Sequence, residues 1–352
     1  MADAELTQRS ILDTMHSAFL ARALYVLAEL GVADLLADGP RSGRELAEAL
    51  AVEPVPLHQV LRAVASTGVL RTEPGDQTGP DQRFALTDGG QTLREGHRSG
   101  TRDLVLTMQG PVFWDCLRVL PERVATGRTG PEIAYGTTFF DYLGKDSLVA
   151  GRFHRMMVAT HGGEPAAVAA GYDFSWATRI VDVGGGIGTL LLAVLDANPA
   201  IRGVVFDLPD VVSQARTHIA ARGLAGRCEV VGGSFLDAVP TGGDAYLVSR
   251  ILHDWDDETC VRILRTCGAA LRTARPAGGR LLVVEKVLPD NDEPHLGKTL
   301  DLIMLATTSG RERTAEEYRR LLARAGLRIG RIVPTDSASS VIEASLIEPV
   351  DR

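Results

Sequence analysis

The chain has 352 residues, 45% hydrophobic and 23% charged, with a formal net charge of −8. That length is ample for two domains with sizeable cores. The acidic balance argues against non-specific nucleic-acid binding, which needs a cationic face. Cys116, Cys228, Cys260 and Cys267 form no CxxC pair, so neither a disulfide framework nor a zinc site is expected, and a reducing cytoplasm fits. The N-terminus, MADAELTQRS, is polar and acidic, unlike a signal peptide. No stretch reads as apolar over the ~20 residues that a bilayer span needs.

Residues 11–37 carry apolar side chains at helical spacing on more than one face, among them Phe19, Leu20, Ala23, Leu24, Leu27 and Leu30. Such a helix sits deep in its domain or buries a second face against a partner chain, and a dimer contact is the favoured reading. SGRELAEAL follows, with Ser42 and Glu45 at capping-box spacing. LHQVLRAVASTGVL reads as a helix ended by Gly68. VLRTEP and RFALTDGG read as two short strands about a turn. Helices followed by a hairpin make a winged-helix pattern, which serves DNA binding or dimerisation. From 41 to 97 there are six Arg and no Lys against eight Asp or Glu, so electrostatics favour dimerisation over a DNA-binding regulator.

Residues 103–170 read as mostly helical, with Phe139, Phe140, Tyr142, Phe153, Met156 and Met157 as core or as the lining of a pocket for a flat ring. The expected division is 1–100, 101–170 and 171–352. From 179 onward strands alternate with helices, which predicts a parallel sheet covered on both faces. RIGRIVPT and SVIEASLIE should close one edge as an antiparallel hairpin.

The loop VDVGGGIGT, 181–189, spaces glycines as G-x-G-x-G at 184, 186 and 188. A dinucleotide fingerprint needs a further glycine where Thr189 stands. Asp207 ends the next strand, where an acid can accept hydrogen bonds from both ribose hydroxyls. Ser234 and Phe235 end the third, where an aromatic can lie against adenine. An adenosine ligand without a diphosphate fits these three strand ends. In SRILHDWDDE, 249–258, His253 emerges at the C-terminal edge of a buried strand, where α/β enzymes carry their chemistry. Alternatively it is a capping histidine beside the acid-rich helix start at Asp254, Asp256 and Asp257.

In combination and order, VDVGGGIG, VFDLPDVV, GGSFLDAVP, HDWDDE, VVEKVLP and DLIMLATTSGRERTAEEY resemble the S-adenosylmethionine-dependent O-methyltransferases of the plant caffeate and hydroxyindole type. The likeness is greatest to the bacterial branch that methylates aromatic polyketides and related natural products, and it covers nearly the whole chain. It implies a winged-helix dimerisation domain, a helical substrate-covering region and a Rossmann-like class I methyltransferase domain with a seven-stranded sheet. It implies a homodimer joined through the N-terminal helices; the acidic charge and the lack of an apolar span leave no nucleic-acid or membrane partner expected. By motif position, Gly184 and Gly186 approach the methionine part of the cofactor. Asp207 and Leu208 hold the ribose, Ser234 and Phe235 flank the adenine, and Asp182 and Ser249 stand close by. Ser234 departs from the Asp found in many members.

His253 matches the family's base, and Glu285 and Glu312 the two acids that flank it. Asp254, Met157, His161, Met304 and Thr308 are candidate substrate contacts, and no metal is expected. The expected reaction is methylation of a hydroxyl on an aromatic intermediate. A rival keeps the cofactor but hydroxylates or decarboxylates instead.

Overall fold

The computed structural model describes residues 2–273 and 278–347. The chain forms two compact units, Met1–Gly162 and Gly163–Arg352. The break falls before the helix Glu164–Gly171, because that helix packs on Thr189–Ala197 of the second unit. Residues 101–162 fall in the same unit as 1–100, and the helix Thr101–Met108 packs on the first helix.

In the first unit one long helix, Ala2–Glu29, stops at Gly31, whose φ of 69° is left-handed. Leu27 and Ala28 are fully buried, but Ile11, Leu12, Met15 and Phe19 are exposed, Phe19 at 69%. The deep-core reading therefore fails for the N-terminal part of this helix. By length and composition Gln8–Glu29 could cross a membrane, with 17% of its most apolar window buried. That corrects the expectation that no stretch was apolar enough: apolar residues on two faces raise mean hydropathy as a membrane span does.

Ser42 caps Gly43–Leu50 in a full capping box with Glu45. β1 (Arg41–Ser42), β2 (Leu70–Thr72) and β3 (Arg83–Leu86) form a sheet in the order β1-β3-β2. β1 is too short to show any side-chain periodicity, and the sequence reading missed it. Leu27, Leu46, Leu61 and Phe84 fill the core between these helices and the wing.

In the second unit a seven-stranded sheet runs β11-β12-β8-β7-β4-β5-β6. Its parallel strands are β4 (Arg179–Val183), β5 (Arg202–Asp207), β6 (Cys228–Gly232), β7 (Ala245–Ser249) and β8 (Arg280–Glu285). β9 (Val287–Leu288) and β10 (Arg313–Thr314) make a separate two-stranded piece. β11 (Leu327–Pro334) and β12 (Ser340–Leu346) form the antiparallel hairpin that closes the edge. Val181, Tyr246, Leu281 and Ile342 pack on one face, and Ile180, Leu247, Leu282 and Val341 on the other. Alternate residues of each strand enter opposite cores, so the strands read as continuous apolar runs. The sheet order carries the C-terminal ends of β4, β5, β7 and β8 to one rim.

Candidate active site

β4 ends in three glycines with left-handed backbone: φ is 70° at Gly184, 59° at Gly186 and 82° at Gly188. A Cβ on Gly184 would stand 2.6 Å from Ile251 Cδ1, and one on Gly188 would stand 2.8 Å from Val205 Cγ2. The loop is thus pressed against the fold at both ends. At Gly186, in contrast, a Cβ would meet nothing within 4 Å, so the loop's open side lies there. The Gly186 amide donates to Asp207 Oδ2 at 2.7 Å, and the Leu208 amide to Oδ1 at 2.7 Å. Asp207 thereby faces the open side of the loop from the tip of β5, beside the exposed Leu208.

Asp182 lies beneath the loop. It is buried against Gly185, and burial together with the Asp207 charge pushes its pKa up to about 7. It braces the turn from below, whereas Gly186 and Asp207 face outward. Phe235 lies 3.4 Å from where a Gly184 Cβ would be, with its ring edge-on to Trp255 at 6.2 Å. Ser234 Oγ accepts from the Leu236 amide and fixes the turn after β6. The glycine loop, the Asp207 carboxylate bonded to it and the Phe235 ring beside Gly184 thus stand together at the ends of β4, β5 and β6 as a candidate cofactor cradle.

Beside this cradle β7 ends at Ser249. Arg250 then takes a left-handed φ of 56°, a strained conformation for a side chain of that size. That turn throws Leu252–Asp254 into a single 3₁₀ turn. His253 is 6% exposed and its Nδ1 lies 2.7 Å from Glu285 Oε2, at the end of the neighbouring β8. The other Glu285 oxygen accepts from the Leu252 amide at 2.9 Å. Nδ1 is therefore committed to the carboxylate, and Nε2 is the atom left to meet a substrate. Asp254 Oδ1, 3.6 Å from Nε2, is too far for a hydrogen bond.

Burial alone would disfavour the imidazolium. The carboxylates of Glu285 and Asp254 outweigh it and hold the His253 pKa up at about 9. Burial likewise works to raise Glu285, but the imidazolium beside it holds that carboxyl below its usual range. Glu312 is 3% exposed, its amide donates to Asp301 Oδ1 at 2.7 Å, and burial pushes its pKa up to about 7. Among the described residues its Oε2 and the Tyr318 hydroxyl are buried without a hydrogen-bond partner.

His253, Glu285 and Glu312 offer ligand atoms within 4.8 Å of one another, a spacing that could hold a metal ion. The sequence offered no such cluster, because the three residues sit on separate segments that only the sheet order brings together. Met304 and Thr308 lie at the C-terminal end of the helix Leu296–Thr307, where the Thr308 amide donates to Met304 O at 2.8 Å. Met157 belongs to the first unit, and the His161 side chain lies outside the described residues. Asp301, Arg313 and Tyr318 lie within the DLIMLATTSGRERTAEEY motif but were not singled out in the sequence, because nothing local marks which of its side chains are buried beside the site.

Residues 12–96 match the O-methyltransferase dimerisation domain, and residues 118–328, more than half the chain, match the O-methyltransferase domain. The chain belongs to the S-adenosylmethionine-dependent O-methyltransferases. This methyltransferase is 39% identical over 335 residues to phenazine O-methyltransferase PhzM of Lysobacter antibioticus, covering 95% of each chain. It is 37% identical over 329 residues to a mitomycin biosynthesis 6-O-methyltransferase of Streptomyces lavendulae, covering 93% of this chain and 91% of that one. Among solved structures, an O-methyltransferase from neocarzinostatin biosynthesis, in complex with S-adenosylmethionine and 2-hydroxy-5-methyl naphthoic acid, superposes with a TM-score of 0.78. That pair is 33% identical and covers 93% of this chain and 95% of the other. The winged-helix segment lies within the dimerisation match, so the dimerisation reading of that segment stands over the DNA-binding one.

Proposed function

We propose that this methyltransferase methylates a hydroxyl of an aromatic natural-product intermediate, with His253 as general base. The observation that carries the reading is the buried His253–Glu285 pair at 2.7 Å beside the glycine cradle. S-adenosylmethionine, held by Gly184, Gly186, Asp207, Leu208 and Phe235, supplies an electrophilic methyl group. Ser234 and Ser249 complete the cofactor contacts. A phenol ionises near pH 10, so its oxygen is a weak nucleophile at neutral pH. His253 Nε2 takes that proton, while Glu285 fixes the ring through Nδ1 and stabilises the imidazolium that forms. Glu312 adds a second carboxyl to the same cluster, and Asp254, Met304 and Thr308 contact the acceptor.

The relatives named above are a phenazine O-methyltransferase and a 6-O-methyltransferase of mitomycin biosynthesis, and the neocarzinostatin enzyme binds a naphthoic acid. A flat fused-ring phenol is the acceptor class these support. The exposed Ile11, Leu12, Met15 and Phe19 support a homodimer joined through the first helix. Four free, buried cysteines support a cytoplasmic enzyme.

The test incubates the enzyme with S-adenosylmethionine and 2-hydroxy-5-methyl-naphthoic acid and reads product mass. A gain of one CH₂ unit supports methylation; loss of CO₂ or gain of one oxygen supports the rival chemistry. His253→Ala should lower turnover ~10²- to 10⁴-fold with unchanged affinity for S-adenosylhomocysteine. Turnover equal to wild type in that variant removes the base.

A further inference from the structure

We infer that Arg313 is a positioning residue, whose buried guanidinium clamps the turn carrying His253 to the segment carrying Glu312 while its backbone pairs with the segment carrying Glu285. It heads the largest fully buried side chains of the described residues, at 0% exposure. One Nη donates to Leu252 O at 2.8 Å and to Arg311 O at 3.2 Å. The other donates to Trp255 O at 3.0 Å and to Asp257 Oδ1 at 2.8 Å, and Nε reaches Asp257 Oδ1 at 3.2 Å. All five N–H donors of the fork have acceptors. The carbonyls at 252 and 255 bracket His253, so one planar group sets both ends of the turn.

The backbone of Arg313 is tied as well. It pairs with Val287 in the β9–β10 bridge, two residues beyond Glu285, and its chain neighbour is Glu312. The same loop touches the turn a second time at Gly310, where a Cβ would overlap the His253 carbonyl and the Asp254 backbone. Three segments far apart in sequence therefore meet at one residue, the His253 turn at its side chain and the Glu285 segment at its backbone. A buried arginine needs a compensating anion, which Asp257 provides at 2.8 Å. Lysine cannot replace it: a single ammonium does not fork between three carbonyls and a carboxylate.

The role is tested in the full-length protein without turnover, so its outcome is separate from that of His253 as base. Histidine-selective ¹⁵N spectra follow the titration of His253, identified by the signal missing in His253→Gln. Arg313→Lys keeps the charge and removes the fork. Arg313→Gln removes the charge and leaves the carbonyls of Leu252, Trp255 and Arg311 short of donors, which can unfold the region, so Arg313→Lys carries the test. Asp257→Asn loosens the guanidinium from a half-exposed position and is the third variant.

If Arg313 holds His253 against Glu285, the proton affinity of His253 falls at least about tenfold in Arg313→Lys and Asp257→Asn, equal to one pH unit. Affinity for S-adenosylhomocysteine stays within about twofold. With acceptor present, kcat falls while KM for the acceptor holds. Arg313→Lys keeps the charge, so charge alone leaves that proton affinity unchanged; the loss of an anion in Asp257→Asn lowers it by itself, so that variant supports the assignment only together with Arg313→Lys. A His253 titration that is unchanged or raised in folded variants overturns the assignment.

Discussion

Replacing Glu312 by Gln isolates the energetics of a buried, unpartnered carboxyl. In the folded chain Glu312 keeps its proton to about pH 7, against an ordinary value of 4.5. A group whose folded pKa is raised contributes stability that is fully present below the unfolded pKa. That contribution is lost as pH rises through the folded pKa. Between pH 4.5 and about 7 the folded state holds a proton that the unfolded state has released, so stability falls. At 1.36 kcal/mol per pH unit, the gap from 4.5 to about 7 amounts to about 3 kcal/mol. Glutamine has nothing to ionise. The stability of Glu312→Gln relative to wild type should therefore climb by up to about 3 kcal/mol between pH 4.5 and 7.5, then level off. Urea unfolding at several pH values measures this, in a Trp114→Phe background so that fluorescence reports Trp176 and Trp255 of the second unit. A difference that stays flat across that window refutes the claim that Glu312 is buried without a counter-charge strong enough to ionise it.

Because His253 is held up to about 9 by Glu285 and Asp254, kcat/KM should rise about tenfold per pH unit and level off near pH 9. Glu285→Gln should move that rise to lower pH, since burial then dominates the ring, and lower the plateau ~10²- to 10⁴-fold. A pH–rate profile with the same rise in both proteins refutes the coupling. Gly184→Ala and Gly186→Ala should separate folding from binding. The first forces a Cβ against Ile251 at φ 70° and lowers Tm, while the second projects into open space at φ 59° and mainly weakens S-adenosylhomocysteine binding in calorimetry. Phe19→Asp, at a position 69% exposed on the first helix, should turn a dimer into a monomer by light scattering.

Much of this protein was legible along the chain because short-range physics wrote it. The Ser42–Glu45 box is a local hydrogen-bond and backbone effect, and it stands where the spacing put it. The apolar runs of β4, β5, β7 and β8 read as strands because both faces of a parallel sheet are buried. Glycines at 184, 186 and 188 and the acid at 207 fall at strand ends, which is itself a local pattern, and their order with HDWDDE and GRERT carried the family resemblance.

Other features had no local signal. The sequence could not tell that Asp182 points under the loop while Asp207 points out of it, since both end apolar strands and only packing orients them. It could not separate the buried half of the first helix from the exposed half, because both are apolar and the difference lies in what covers them. His253, Glu285 and Glu312 stand on three segments, and their meeting within 4.8 Å follows from β8 lying beside β7 and from the β9–β10 bridge. Arg313 is the extreme case. In GRERT it reads as one more surface charge, and only the fold puts three carbonyls and a carboxylate around it and gives its burial a purpose.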